Sequence, residues 1–309
     1  MRVLFVFLDG VGIGPPSFHN PLSTQRWEGL EKLAREHPWV APLPSVRSER
    51  HVVTSIDACL GVDGLPQSGT GQATLFTGVN CAEHVGRHFG PYPHSSTHDI
   101  LQENNVFRRV ESRISPVGPQ KHASSFANAY PPRFFEWVNG RGRLTVTTRS
   151  AVASGLTLRR SEDLVNGNAI SADITAIGWP DPDLSIQPRT EAEAARDLVQ
   201  LHRQHRFTLF EYYLTDKVGH GRLDVSPENI LASVDRFLRG LVDNMDPEEE
   251  CLVVTSDHGN IEDTSTKTHT RNPVPLIAWG EGARMFDDVA DLGGVTPAIE
   301  KLLHEHHAR

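Results

Sequence analysis

Apolar runs alternate with amphipathic segments over the two ends of the chain. Residues 3–8 are continuously apolar and rich in β-branched and aromatic side chains, which predicts a strand buried on both faces of a parallel sheet. Similar runs predict strands at residues 207–214, 250–255 and 273–279. Helices are predicted at residues 24–35, 72–76, 227–244 and 295–304. We therefore expect an α/β fold with a mostly parallel central sheet flanked by helices.

The middle of the chain has a different pattern. Residues 86–189 are rich in Pro, Gly, Ser and Arg, and their periodicity is mixed. We interpret them as a smaller inserted cap with short strands of its own, such as residues 144–148. Residues 1–85 and 190–309 are assigned to the core, and residues 304–309 to a frayed tail. An alternative places residues 121–130 in the core instead.

Composition excludes several classes of protein. The 309 residues include 39 acidic and 30 basic side chains, for a formal net charge of −9. Such a chain is a poor binder of nucleic acid or anionic membranes, so phosphate would have to be held by a local device such as metal ions. The three cysteines form no Cys-x-x-Cys pair, which argues against a disulfide framework and a thiolate zinc site.

The hydrophobic segments give no reason to expect a membrane protein. No apolar run approaches the roughly 18 residues of a membrane span. The opening run stops at Asp9, which is too short for the apolar region of a secretion signal. We therefore expect no membrane partner and a cytoplasmic location.

Metal-ligating residue types stand at the ends of the predicted strands, namely Asp9 after the first, Asp216 and His220 after the second, and Asp257 and His258 after the third. Ligands of open α/β sheets bind at the carboxyl ends of strands, so these side chains are expected to converge. Asp and His without Cys suit Zn²⁺ or Mn²⁺. His269, just before the last strand, would add a further ligand.

Each of these positions also has a simpler explanation when it is taken alone. Asp9 fits a helix cap or a turn, and the segment from Asp257 to Asn260 fits a turn. Asp216 and His220 have the spacing of a pair on one helix face. Three such sites at three strand ends favour a metal centre over three coincidences.

Ser68 lies in a Gly-rich loop ahead of a predicted short helix. Free backbone N–H groups at a helix N-terminus attract anions, and a hydroxyl group there could attack phosphorus beside a metal ion. The alternative is an N-cap serine, and Thr70 is a competing hydroxyl on the same loop.

Two other enzyme motifs are incomplete in this sequence. Gly10, Gly12 and Gly14 resemble the start of a dinucleotide fingerprint, but Pro15 occupies the position that requires Gly or Ala. No Gly-x-Ser-x-Gly elbow surrounds Ser68, which excludes an α/β-hydrolase site there.

Four motifs together resemble the alkaline phosphatase superfamily, in particular its branch of cofactor-independent phosphoglycerate mutase and phosphopentomutase. They are Phe7-Leu-Asp-Gly-Val-Gly-Ile-Gly14, Thr215-Asp-Lys-Val-Gly-His220, Thr255-Ser-Asp-His-Gly-Asn260 and Lys267-Thr-His-Thr-Arg-Asn-Pro-Val-Pro275. The resemblance covers residues 1–85 and 200–309, keeps the family's order, and implies an alkaline phosphatase-like core.

The resemblance also implies a ligand set and a nucleophile. One divalent ion would be held by Asp216, His220 and His269, and a second by Asp9, Ser68, Asp257 and His258. Ser68 stands ten residues before Gly78, with Gly71 at its third following position, which is the register of the mutase serine. The resemblance therefore favours Ser68 over Thr70 as the nucleophile.

The sequence departs from the mutase pattern in two places. Ser68 is followed by Gly-Thr-Gly-Gln rather than Glu-Val-Gly-His, and no Arg-rich segment that grips phosphoglycerate is present. Arg159 and Arg160 either line a substrate pocket from the cap or form a solvated surface pair. The sulfatase signature is missing, which argues against sulfate esters.

Three functions are compatible with these residues. The first is a two-metal phosphohydrolase, in which Ser68 forms a phosphoserine that water then hydrolyses. The second is a phosphomutase acting on a small phosphorylated sugar or acid. The third is a metal-binding protein without activity. In the first two cases the partner is a small phosphorylated substrate, whereas the oligomeric state is not predicted.

Overall fold

A seven-stranded sheet lies at the centre of the protein in a computed structural model, which describes residues 1–140, 142–181, 184 and 186–305. Its strands are β1 (Arg2–Leu8), β2 (Val46–Ser48), β3 (His51–Ile56), β4 (Ser124–Phe126), β5 (Phe207–Tyr212), β6 (Glu250–Thr255) and β7 (Val274–Gly280). Their order across the sheet is β2-β3-β7-β6-β1-β5-β4. Strands β6, β1, β5 and β4 are parallel neighbours, whereas β2, β3 and β7 join through antiparallel pairs. The prediction of a mostly parallel sheet is confirmed. The antiparallel pairs formed by β2, β3 and β7 were not predicted.

Helices cover both faces of the sheet. They are α1 (Glu28–Leu33), α2 (Ser68–Thr77), α3 (Cys81–Val85), α4 (His98–Asn104), α5 (Val106–Arg113), α6 (Pro132–Gly140), α7 (Val146–Ala153), α8 (Ser161–Val165), α9 (Glu191–His202), α10 (Leu214–Gly219), α11 (Pro227–Asn244) and α12 (Val295–Glu305). None of the helices in the described ranges is both long and apolar enough to cross a membrane.

Strand β1 explains why its sequence is apolar without alternation. Phe5 and Phe7 pack on one face of the sheet in a core that includes α2, α5 and α12. Leu4 and Val6 pack on the other face with α1, α9 and α11. Because β1 is buried from both sides, both of its faces have to be hydrophobic.

Most of the predicted elements are present. Strand β6 and helix α11 have their predicted bounds, and β1, β5, β7 and α12 differ by one or two residues at their ends. Helix α1 is shorter than predicted because Trp27 is its N-cap. Helix α2 is longer than predicted, because it begins at Ser68 itself. Strands β2 and β3 were not predicted.

The predicted cap range contains parts of the core. Strand β4 pairs in parallel with β5, which supports the alternative that residues 121–130 belong to the core. The strand predicted at residues 144–148 is wrong, because this segment opens helix α7, which contacts α2. The Thr145 side chain accepts the N–H of Thr148 and thereby caps that helix, which outweighs the strand propensity of the threonines. The frayed tail predicted at residues 304–309 is wrong for residues 304 and 305, which belong to helix α12, and the rest of it lies outside the described residues.

His202, at the end of α9, is fully buried, and neither of its ring nitrogens has a hydrogen-bond partner among the described residues. Burial, with the charges of Arg2 and Arg203, lowers its pKa to about 3, so the ring is neutral. An unpaired buried polar group costs about 1–3 kcal/mol. We expect His202→Leu to raise the free energy of unfolding by about 1 kcal/mol in urea titrations.

The matched control is His304→Leu, at an exposed position of α12. It should change the free energy of unfolding by less than about 0.5 kcal/mol. A less stable His202→Leu protein would contradict the prediction.

Candidate metal centre

Three neighbouring strands deliver the predicted ligands to one edge of the sheet. Asp9 follows β1, Asp257 and His258 follow β6, and Asp216 and His220 come from α10 after β5. Because β1 lies between β6 and β5, these side chains meet. His269 enters from the loop before β7, and Ser68 from the first turn of α2. All seven predicted site residues therefore lie together, in two adjoining clusters.

The first cluster consists of Asp216, His220 and His269. Asp216 Oδ1 lies 3.3 Å from His220 Nε2 and 3.4 Å from His269 Nε2. The two Nε2 atoms lie 3.0 Å apart. One ligand atom from each residue can thus face a common point.

The other ring nitrogens of this cluster define which nitrogen atoms are free. His220 Nδ1 lies 2.7 Å from the Lys267 carbonyl oxygen, and His269 Nδ1 lies 2.6 Å from that of Pro66. A nitrogen that faces a carbonyl carries the proton, so in the neutral rings both Nε2 atoms present lone pairs. Two lone pairs and a carboxylate oxygen directed at one point are the donor set of a divalent cation, so these residues fit a metal ion.

The second cluster surrounds His258. Its Nε2 atom lies 3.0 Å from Ser68 Oγ, 3.5 Å from Asp9 Oδ1 and 3.4 Å from Asp257 Oδ2. Among the described residues, neither of these two buried carboxylate oxygens accepts a hydrogen bond. Buried charged oxygens without partners are costly, and a cation would satisfy both. This donor set therefore also fits a metal ion.

The two clusters are in direct contact. The rings of His258 and His269 stack with centroids 3.7 Å apart and an interplanar angle of 18°. Asp9, Asp216 and His258 also bring ligand atoms within 4.8 Å of one another. The two donor sets therefore adjoin each other, and both the number of ions and the ligand roles of the individual residues stay predictions.

The pKa values at the centre reflect crowded negative charge. Burial, followed by the charges of Asp257 and Asp216, raises the pKa of Asp9 well above its ordinary value. Burial would also raise the pKa of Asp216, but the hydrogen bond with His269 and the charge of His258 reverse the effect and lower it. Burial lowers the pKa of the His258 ring. Burial would also lower the pKa of His269, but its hydrogen bond with Asp216 reverses the effect and raises it. The ionised form of Asp9 therefore needs positive charge nearby.

Ser68 and Thr70 have different surroundings on α2. Gln67 is the N-cap residue, so Ser68 is the first helical residue and not the cap. Its hydroxyl group faces His258, whereas Thr70 Oγ1 accepts the N–H of Phe89 at 3.1 Å. The geometry thus places the Ser68 hydroxyl, and not that of Thr70, against the ligand clusters.

Side chains outside the predicted set orient the ligands. Gln72 Nε2 donates to Asp9 Oδ2 at 3.1 Å, and Asn260 Nδ2 donates to Asp216 Oδ1 at 2.7 Å. Both lie inside motifs that the sequence singles out, but their roles could not be inferred from spacing. Such partners fix the direction in which a ligand presents its oxygen atoms.

Glu262 joins three of the four ligand loops and was missed from the sequence. Its buried carboxylate accepts the N–H groups of Gly12 at 2.9 Å and Asn260 at 2.7 Å. It also accepts hydrogen bonds from Thr270 Oγ1 and, at 3.0 Å, from Asn272 Nδ2. A Cβ atom on Gly12 would collide with this carboxylate, so the loop requires glycine there. A glutamate in a loop is ordinarily solvated, and no pattern distinguished this one.

A cleft of about 680 Å³ opens beside the two clusters, lined by Ser68, Asp9 and Asp216 among others. The predicted pocket residues Arg159 and Arg160 do not line it. Arg159 is instead half-buried and donates to Ser125 Oγ at 2.8 Å, so it does not form a solvated pair with its neighbour either. The Arg160 guanidinium lies 3.8 Å from the centre of the Phe135 ring.

Glu211, the fifth residue of β5, is a buried acid at this cleft. Burial is the main cause that raises the pKa of Glu211 to about 7, and the charge of Asp257 raises it further. A hydrogen bond from Thr147 Oγ1 at 2.8 Å acts in the opposite direction and lowers the pKa. The sequence analysis missed it because it lies inside an apolar strand.

Known proteins are similar to this chain in sequence and in fold. The profile of the metalloenzyme superfamily matches residues 182–304. The chain is 28% identical over 94 residues to the 2,3-bisphosphoglycerate-independent phosphoglycerate mutase of Pyrococcus abyssi. This aligned region covers 30% of this chain and 22% of the mutase. The match thus spans about a fifth of the length of that curated relative.

Solved structures are similar over nearly the whole chain. The PH0037 protein of Pyrococcus horikoshii has a TM-score of 0.56 at 16% identity, with 98% of this chain and 96% of that chain covered. Alkaline phosphatase from the Antarctic bacterium TAB5 has a TM-score of 0.50 at 10% identity, with 98% of each covered. Leishmania mexicana phosphoglycerate mutase has a TM-score of 0.50 at 11% identity, with 98% and 95% covered.

The family profile, the mutase relatives and the shared fold together support membership of the alkaline phosphatase superfamily. Membership of the alkaline phosphatase superfamily implies divalent metal binding, in agreement with the two donor sets. The superfamily includes both phosphatases and phosphoglycerate mutases, so the fold by itself does not separate these two activities.

We expect Glu262→Gln to weaken binding of Mn²⁺ by about 10–100-fold, although Glu262 is not a predicted ligand. The amide would present N–H groups to donors that now face a carboxylate, so the ligand loops would lose their common acceptor. Isothermal titration calorimetry measures the change. Asp263→Asn is the matched control, because the neighbouring carboxylate accepts hydrogen bonds from Ser265 instead. Equal affinities in the two variants would contradict this role.

Glu211 predicts a pH dependence of stability. Glu211 binds its proton more tightly in the folded protein than in the unfolded chain, because its pKa is about 7 instead of 4.5. The protonated carboxyl group therefore contributes its full stabilisation below about pH 4.5, and this contribution is lost as the pH rises through about 7. In urea unfolding of the metal-free protein, Glu211→Gln should therefore gain stability relative to wild type between about pH 5 and about pH 8. Glu83→Gln, at an exposed position, is the control. A difference that does not vary with pH would refute the prediction.

Proposed function

We propose that the protein is a metal-dependent phosphoryl-transfer enzyme, and specifically a two-metal phosphohydrolase with Ser68 as nucleophile. The observation that carries the proposal is the position of Ser68 Oγ, 3.0 Å from His258 Nε2, where the ligand clusters meet the cleft. A nucleophilic hydroxyl needs an environment that favours loss of its proton and stabilises negative charge, and divalent ions held by the ligand clusters would supply both.

In the proposed site, Asp216, His220 and His269 hold one divalent ion, Mn²⁺ or Zn²⁺, and the cluster of Asp9, Ser68, Asp257 and His258 holds a second. Bound divalent ions would lower the pKa of a hydroxyl group and stabilise charge on phosphoryl oxygens. Ser68 also lies in the first turn of the ten-residue helix α2, whose positive dipole end favours an anion there.

The proposed reaction has two displacements at phosphorus. Ser68 Oγ loses its proton and bonds to phosphorus, while the bond from phosphorus to the ester oxygen breaks and the leaving alcohol takes up a proton. Water then attacks the phosphoserine, releases inorganic phosphate and restores the Ser68 hydroxyl. A small phosphorylated ester is therefore the proposed partner, and the cytoplasmic location stays a prediction.

A phosphomutase is the second candidate, because the curated relatives that the chain matches are named phosphoglycerate mutases. A mutase has to keep the dephosphorylated substrate in place and return the phosphoryl group to another hydroxyl. The chain lacks the Arg-rich segment that the mutase resemblance implies for this purpose. We therefore favour hydrolysis. Free phosphate among the products supports the hydrolase, and an isomeric phosphate ester would support the mutase.

The nucleophile is tested with p-nitrophenyl phosphate and its diester in the presence of Mn²⁺ or Zn²⁺. We expect metal-dependent release of p-nitrophenol, with kcat reduced by about 10³-fold or more in Ser68→Ala. Thr70→Ala is the matched control on the same helix, and it should retain most of the activity because its hydroxyl bonds to the Phe89 loop. Turnover that survives in Ser68→Ala would exclude Ser68 as nucleophile.

A further inference from the structure

We infer that the cleft selects phosphate esters whose leaving group carries an aromatic ring, and that Tyr130, Phe134 and Trp137 form the surface that binds this ring. The inference rests on the proposed function, because it assigns a substrate class to the same cleft. No motif in the sequence pointed to this surface, which belongs to the segment around α6.

The three side chains form one continuous aromatic wall. The rings of Tyr130 and Phe134 stack with centroids 4.1 Å apart at 25°, and Phe134 and Trp137 follow at 6.2 Å and 43°. All three line the same cleft as Ser68 and Asp216. A ring held against this wall would therefore belong to a molecule that also reaches the nucleophile.

Packing of the core explains this wall only in part. Tyr130 and Phe134 are partly buried against the core, whereas helix α6 contains no fully buried residue and Trp137 keeps 47% of its surface exposed. Exposed aromatic side chains that are adjacent to one another mark binding sites more often than isolated ones do. Aromatic pairs also gain more than their buried area alone would give, so a planar ring is the occupant that this wall would bind best.

The cleft also presents positive charge, which is consistent with an ester of phosphate and not with a neutral aromatic compound. Arg133, Lys217 and Arg222 line it, and none of them forms an ion pair among the described residues. Lys217 Nζ lies 4.5 Å from the centre of the Tyr213 ring. Unpaired cations beside the nucleophile attract an anionic group, while the wall receives the apolar remainder of the molecule.

The experiment compares benzyl phosphate with ethyl phosphate, because both leave as primary alkoxides and differ mainly in the ring. With Mn²⁺ present, we expect kcat/KM of the wild type to be about tenfold higher for benzyl phosphate. We expect Trp137→Ala to reduce the ratio of the two kcat/KM values towards one. The double variant with Trp137→Ala and Phe134→Ala should reduce the ratio further. Phe18→Ala is the control, because Phe18 is an exposed ring, 85% accessible, that does not line the cleft; it should leave the ratio unchanged.

A binding measurement separates this inference from the proposed chemistry. In Ser68→Ala, benzylphosphonate should bind about tenfold more tightly than ethylphosphonate by calorimetry, and Trp137→Ala in that background should remove the difference. Equal binding of the two phosphonates, or a preference that survives both wall substitutions, overturns the inference while metal- and Ser68-dependent turnover still supports the hydrolase. A binding preference without any turnover supports the wall and overturns the proposed function.

Discussion

Asp9, Asp216 and Asp257 bring three carboxylates to one edge of the sheet, where water is largely excluded. Their mutual repulsion and their desolvation are reflected in the raised pKa of Asp9. A protein can keep such a group ionised only if positive charge is close by. The imidazoles of His220 and His269 contact Asp216, and that of His258 contacts Asp9 and Asp257. This crowding of negative charge is unfavourable without a cation, and for the same reason it favours the binding of a cation.

The scaffold around the centre is built to resist this repulsion. Strands β6, β1 and β5 are parallel and buried, so the positions of their carboxyl ends are fixed by backbone hydrogen bonds on both sides of β1. Glu262 then holds the loops that follow, through N–H groups of Gly12 and Asn260. Glu262 is not one of the predicted ligands, but it thus aligns the loops that carry the acidic ligands.

The two sides of the cleft have different origins. The nucleophile and the ligand clusters come from the ends of the core strands and from α2, whereas the aromatic wall comes from the segment between β4 and α7. In the proposed enzyme, reaction chemistry and choice of substrate therefore reside on different parts of the chain. We expect a change in the α6 segment to alter which ester is accepted without moving the proposed nucleophile and ligands.

The sequence by itself determined the parallel strands β1, β5 and β6, helix α11 and the set of residues that meet at the centre. Continuous apolar runs and helical spacing report burial directly, and Asp9, Asp257 and His258 lie within three residues of the ends of such runs. Strands β2 and β4 escaped this reasoning because edge strands of three residues carry little hydrophobic pattern, and β3 because polar residues interrupt its apolar ones. Glu262, Glu211 and the aromatic wall were decided only by the tertiary structure. Their roles depend on which distant residues face them, and contacts between positions far apart in the chain leave no periodicity in the sequence near either one.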